Sequence, residues 1–304
     1  MYPTLVDFGL YSGHTDNVIG ADNQQATPRK WESPQRLYAK YPKNMICKEE
    51  STLLGILYTD GCLSRKSKNC WRFYLSNTSF EIIQTFKDCM ISLFDLDDNR
   101  VRISQKMVNG KPFYKAVVDS GVCGGFMTSK YGTFRTLAFG KEDGRIIYPP
   151  AKLPFNHNTN KDLISEFLKA AFSCDGGVNL YVAKVLKTGY KFLIRNVYIS
   201  CHHPQLQLDY HKLLKFLNID SKILKDDNKI MIRKQADLKK FRERVGFLDG
   251  VKITQHSAYW QGWEKNIVLD FLLSSYDDPK EIMKLPQFRI KIESDLMGDH
   301  ESVL

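Results

Sequence analysis

No apolar run in this 304-residue chain approaches the ~20 residues that a membrane span needs, so no membrane partner is expected. There is no CxxC pair either. The seven cysteines, at 47, 62, 70, 89, 123, 174 and 201, are odd in number and scattered, which excludes a disulfide framework or a zinc ribbon and suits a reducing compartment. The densest metal-like cluster, Cys201-His202-His203, has no second cluster to complete it, and neighbours on a strand point to opposite faces, so it reads as structural. Basic residues are missing before Arg29, whereas Asp7 and Asp16 precede it, contrary to a secretory signal or an Arg-rich transit peptide. The expectation is a soluble intracellular protein. Splicing chemistry is not expected, because Met1 is not a splicing Cys or Ser and Ser302-Val303-Leu304 is not His-Asn.

What the chain does contain is enough to fill real cores: 43% apolar residues and 12% aromatics over a length that suits two domains or one pseudo-symmetric pair. Lys and Arg exceed Asp and Glu by ten charges, which suits a polyanionic partner, although many basic proteins are merely basic. Residues 1–48 read as an irregular N-terminal extension rich in Gly, Asn, Pro and Gln. Arg29, Lys30, Arg36, Lys40, Lys43 and Lys48, against the single acid Glu32, form either a phosphate-tracking arm or a solvated one.

From there an order of elements occurs twice. A helix of about eleven residues beginning near Glu49 leads to a hairpin over Cys62–Asn77, where Trp71, Phe73 and Leu75 alternate with Arg72, Tyr74 and Ser76. A helix over Phe80–Phe94 follows, then a hairpin over Val101–Asp119 turning at Asn109-Gly110, then less regular chain to 150. The Pro- and Asn-rich residues 151–160 read as a linker. A second helix starts at a capping box formed by Thr159 and Asp162. It is followed by a hairpin over Val178–Cys201 turning near Thr188-Gly189, a helix over Pro204–Leu217, a short hairpin over Ser221–Arg233, and helices over Ala236–Val245 and Tyr259–Ser275. The acidic stretch 277–304 reads as a tail.

Each leading helix closes on the same pair of residues. Leu53 to Gly61 is LLGILYTDG and Leu168 to Gly176 is LKAAFSCDG, with Asp60 and Asp175 115 residues apart, a subdomain-sized repeat. Gly55 and Thr59 in one copy, and Ala170 and Cys174 in the other, form small-residue strips suited to close helix packing. Either copy alone is a common apolar helix end. Two copies, each followed by hairpin, helix and hairpin, identify residues 49–275 as similar to the double-motif, monomeric LAGLIDADG homing endonucleases.

That resemblance implies an α+β fold of two pseudo-symmetric αββαββα subdomains, 49–150 and 161–276, with a saddle of antiparallel sheets and the two motif helices at the interface. It implies site-specific hydrolysis of double-stranded DNA by a monomer on a long, nearly asymmetric target, leaving 3′ overhangs. Asp60 and Asp175 would be the metal ligands and Mg²⁺ the cofactor, since magnesium takes one or two carboxylates with water and substrate oxygens. By position, Lys152 and Lys252 resemble the basic residues of related active sites, although each also reads as a solvated lysine. Asn77 resembles the polar residue that positions solvent. Its counterpart in the second half is Cys201, a poor replacement, which makes the two sites unequal; His202 is a possible substitute.

The hairpins would enter the major groove. Arg65, Lys66, Lys68, Arg72, Tyr74, Ser76, Arg102, Ser104 and Lys106 would face DNA from the first half, and Lys184, Lys187, Lys191, Arg195, Lys225, Lys229 and Arg233 from the second. Arg195 shares parity with Val197 and Ile199, a buried row unless a bulge intervenes. The same scaffold also serves intron RNA maturases and non-cleaving DNA-binding regulators, but retention of both acids favours cleavage. A prokaryotic cytoplasm, a mitochondrion and a chloroplast are all compatible compartments for an intron-encoded enzyme.

Overall fold

The computed structural model describes residues 46–277 apart from 144, 157, 185–186, 188 and 255–258, all within one compact unit. The extension up to residue 45 and the tail from 278 lie outside the described residues. Among the described residues no helix is long and apolar enough to cross a membrane.

The first half runs α1 (Lys48–Leu57), β1 (Gly61–Ser67), β2 (Cys70–Asn77), α2 (Phe80–Phe94), β3 (Arg102–Val108), β4 (Lys111–Asp119) and α3 (Gly121–Tyr131), and then the two short strands β5 (Gly140–Glu142) and β6 (Arg145–Ile147). The second runs α4 (Lys161–Asp175), β7 (Gly176–Lys184), β8 (Lys191–Ser200), α5 (Pro204–Phe216), β9 (Lys222–Leu224), β10 (Lys229–Ile232) and α6 (Gln235–Arg244), with a further helix α7 (Lys265–Ser274). The strand orders correspond, β1-β2-β4-β3 and β7-β8-β10-β9, both antiparallel. Phe73, Leu75, Ala116 and Val118 of the first sheet and Val178, Leu180, Val197, Ile199, Ile230 and Ile232 of the second are buried against helices. Period-2 alternation leaves the other face of each sheet open.

The two motif helices are packed against each other at the seam. At Gly55 an added Cβ would lie 2.5 Å from the Phe167 carbonyl oxygen and 2.8 Å from the Ala170 Cβ, so only glycine allows this approach. Ser51 Oγ donates to the Leu163 carbonyl across the same seam. In α1 the Glu50 carboxylate is fully buried and receives Lys130 Nζ of α3 at 2.8 and 2.9 Å.

Three local expectations are corrected. The stretch after Asp119 is not irregular: α3 forms there, capped by Ser120 Oγ, which accepts from the Cys123 N–H at 3.2 Å. Its glycines disguise it, because glycine is a poor helix former, yet at Gly124 a Cβ would fall 2.1 Å from that of Trp71. The second motif helix is capped by Asn160, whose side chain accepts from the Asp162 N–H at 2.8 Å, and not by Thr159. The last helix begins at Lys265 and not at Tyr259. Ahead of it, Trp260 is buried, its indole donating to the Leu180 carbonyl at 2.6 Å.

Candidate active site and open sheet faces

Asp175 is the last residue of α4, whereas α1 ends at Leu57 and Asp60 lies in the turn that follows. The Thr59 hydroxyl holds that turn by donating to the Gly55 and Ile56 carbonyls at 2.8 and 3.1 Å. Both aspartates reach the seam from opposite sides, and their carboxyl groups come within hydrogen-bonding distance of each other. Partial burial raises the proton affinity of both, and for Asp175 the charge of Asp60 adds to the effect. Two crowded carboxyls of this kind fit a hard divalent cation. Among the described residues no third His, Cys, Asp or Glu completes a cage, a set compatible with magnesium, which keeps waters and takes substrate oxygens.

Asn77 Nδ2 donates to Asp60 Oδ2 at 2.7 Å, and its Oδ1 accepts from the Ser79 N–H at 2.7 Å, so β2 and the start of α2 fix the Asp60 carboxylate. The strand register pairs Gly61 with Leu75 and Gly176 with Ile199, which makes Cys201 the positional counterpart of Asn77. Cys201 points its thiol at the His203 carbonyl, 3.6 Å away, and burial pushes that thiol up to about 12.

The second half holds its carboxylate by another means, invisible in the repeat. Lys265, buried at the start of α7, donates to the carbonyls of Ser173 and Gly176 at 2.7 Å each, on either side of Asp175. Burial lowers its ammonium to about 8, and Asp60 and Asp175 act in the opposite direction. A cavity of about 360 Å³ opens beside this end of α4, lined by Cys174, Asn179, Tyr198, Trp260 and Lys265 among others. Lys152 and Lys252 both have exposed side chains. Lys152 follows buried Ala151, and its carbonyl accepts from Tyr58 Oη at 3.1 Å; the backbone of Lys252 forms an isolated antiparallel bridge with that of Glu264, next to Lys265.

Residues 162–246 match the family model described as a LAGLIDADG-like domain. The I-LtrWI LAGLIDADG homing endonuclease bound to target DNA superimposes with a TM-score of 0.50, over 81% of this chain and 96% of that one, at 10% identity. The chain has the LAGLIDADG fold. I-DmoI in complex with DNA and Mn aligns with a TM-score of 0.40 over 65% of this chain and 96% of that one at 18% identity. The N-terminal LAGLIDADG domain of DUF199/WhiA aligns with a TM-score of 0.40 over 68% and 89% at 18% identity. No curated protein matches.

In this LAGLIDADG fold the open face of the first sheet carries Lys66, Arg72, Arg102, Lys106, Lys111 and Lys115, with Asp119 as its acid. Asp119 gathers three of them: Arg72 at 2.8 and 2.9 Å, Arg102 at 2.8 Å and Lys66 at 3.6 Å, and Arg72 above all holds its carboxyl well below the usual range. Tyr74, Ser76 and Ser104 share this face, whereas Arg65 folds back onto the turn carbonyls of Ser67 and Lys68, beside an exposed Lys68. Lys115, missed in the sequence, lies over the Tyr74 ring at 4.9 Å; its register counterpart Lys229 lies over Tyr198 at 5.0 Å. Alternation with buried Ala116 and Val118 was the available signal for Lys115.

The second sheet departs from expectation. Arg195 is on the helix-facing row: it donates to Ser275 Oγ at 2.6 Å and the Ser275 carbonyl at 2.8 Å, and stacks over Tyr276 at 4.4 Å. The expectation that it faces DNA is corrected: no bulge intervenes, and its partner Leu180 is buried. Lys184 shares that parity at the exposed end of β7, paired with Lys191, whose side chain lies outside the described residues. Lys187, Lys225 and Arg233 are exposed beyond the strand ends.

Proposed function

We propose that the chain is a divalent-metal-dependent, site-specific double-strand DNA endonuclease that acts as a monomer. The single observation carrying this reading is the pairing of Asp60 and Asp175, from two different motif helices, within hydrogen-bonding distance at one seam. A structural role alone leaves unexplained why two like charges are brought together where burial opposes both. I-LtrWI, which shares the fold, is a homing endonuclease bound to target DNA.

In this reading Asp60 and Asp175 hold Mg²⁺ or a similar cation. Bound there, the cation supplies Lewis acidity towards the phosphoryl oxygens and acidified water. Asn77 aims the Asp60 carboxylate, and Lys265 fixes the end of the helix that presents Asp175. Lys152 and Lys252 relieve charge on the phosphates. The two open sheet faces take up the two halves of the duplex. One chain supplies both halves, so the target need not be palindromic, and the product carries 3′ overhangs.

The test is to incubate the purified full-length protein and Mg²⁺ with a library of randomised duplex DNA and sequence the cut ends. Cohesive 3′ overhangs at one recurring site are expected. Tight duplex binding without cleavage under Mg²⁺ or Mn²⁺ would refute the endonuclease reading in favour of a regulator.

A further inference from the structure

The open faces of the two sheets are chemically unlike. On β7 and β8 the outward row pairs Asn179 with Asn196, Tyr181 with Ile194, and Ala183 with Phe192, and it holds no charged residue. Tyr181 is 42% exposed and Phe192 36%, and Phe192 stacks on Tyr190 at 6.3 Å. In the first half, Arg72 of β2 occupies the position of Asn196, and Lys66 lies further along β1. Cations of the second half lie outside this row: Lys184 and Lys187 are exposed at the far end of the hairpin, Lys229 lies on the adjoining β10 over the Tyr198 ring, and Lys222 lies on β9.

Within that uncharged row one polar group is specifically held. Asn196 is buried, and its Oδ1 accepts from Asn179 Nδ2 at 2.9 Å. This bond uses one of the two Asn179 amide hydrogens. The half-buried Asn179 keeps its carbonyl oxygen and one N–H for an incoming group, in a fixed plane. An asparagine edge with one acceptor and one donor matches adenine N6 and N7 in the major groove, while apolar side chains match the thymine methyl. An uncharged row flanked by cations also complements a duplex, whose charge lies on its backbones and whose thymine methyls lie in the groove between them.

We infer that the β7–β8 hairpin reads an A·T-rich half-site through Asn179, Tyr181, Ile194 and Phe192, while the first sheet holds the other half-site mainly by charge. The inference rests on the endonuclease reading above, with duplex DNA as the ligand.

The test uses the wild-type full-length chain in EDTA, so that binding is read without cleavage. Duplexes selected from a randomised library would be sequenced, and the affinity for the selected duplex measured across salt concentrations for wild type, Asn179→Ala, Phe192→Ala and Lys106→Ala. One half of the selected site should be A·T-rich. Asn179→Ala should lose about tenfold or more of discrimination at one A·T pair, with the salt slope unchanged. Phe192→Ala, at an exposed position, should relax preference at a neighbouring thymine. Lys106→Ala should weaken binding evenly and flatten the slope by about one. Selected duplexes whose halves are both G·C-rich, or Asn179 and Phe192 variants that bind every duplex like wild type, would overturn the inference and leave duplex binding standing. Selection of no duplex, or preference for single-stranded RNA, would overturn the inference together with the endonuclease reading.

Discussion

Substituting Gly55 by alanine tests the seam directly. The new Cβ would lie 2.5 Å from the Phe167 carbonyl oxygen, 0.9 Å short of the 3.4 Å at which ordinary contact begins, and 2.8 and 3.1 Å from Ala170 Cβ and Ala171 N. Two of these three atoms belong to the α4 backbone, so no rotamer change relieves the clash and the helices must move apart. Overpacking of this kind costs about 3 kcal/mol at its upper range, and the better helix propensity of alanine returns about 1 kcal/mol. The net loss of about 2 kcal/mol corresponds to a fall in Tm of roughly 4–8 °C. Asp60 lies five residues further along, so a helix shift approaching 1 Å would misplace it against Asp175 and slow cleavage by up to ~10²-fold. Gly125→Ala in α3 is the control, because nothing lies within 4 Å of its added Cβ; it should raise the Tm slightly. Thermal unfolding and cleavage, the latter assayed well below the Tm, read out both effects. A Gly55→Ala protein as stable and as active as wild type would refute the close packing of the seam.

Asp60→Asn or Asp175→Asn should abolish cleavage of at least one strand while duplex binding persists in gel shifts; a double variant that still linearises a target plasmid would overturn the metal assignment. Raised proton affinity in both carboxyls has a definite sign: the folded metal-free protein binds more protons than the unfolded chain above the ordinary aspartate range, so this pair's contribution to stability is lost as pH rises towards neutrality. Mn²⁺ binding should therefore release protons and weaken as pH falls, and calorimetry in buffers of different ionisation enthalpy that finds no proton release in mildly acidic buffer would contradict it. Lys152→Ala and Lys252→Ala should slow cleavage more than they weaken binding, and equal losses in both would make them phosphate contacts instead. Duplex affinity should fall steeply with salt, and a flat profile would count against the charged face of the first sheet.

The repeat was legible because its signals are local: Asp-Gly closing two apolar helices, and alternation in Trp71 to Ser76 that the first sheet reproduces. Other features depend on partners far along the chain. The role of Gly124 requires Trp71 to pack against it, and that of Lys265 requires the end of a helix some ninety residues earlier. The second hairpin illustrates a different failure. Clustering of charge points Arg195 to DNA and its parity with Val197 and Ile199 points it to the buried row; with no bulge between β7 and β8, parity decides. Alternation is imposed by the pleat, whereas clustering of charge is not tied to a face.

Lys265 lies nineteen positions beyond residue 246, where the match to the LAGLIDADG-like domain ends, and Trp260 also falls past it. The stretch matched by the domain model is therefore shorter than the unit that holds Asp175 in place. An engineer transplanting the second half into a chimera at the end of that match would carry both strands of its long hairpin but leave behind the ammonium that ties down the end of α4 and the indole that braces β7. The natural cut for a modular exchange falls after α7, whereas in the first half Asn77 serves the same purpose from within β2.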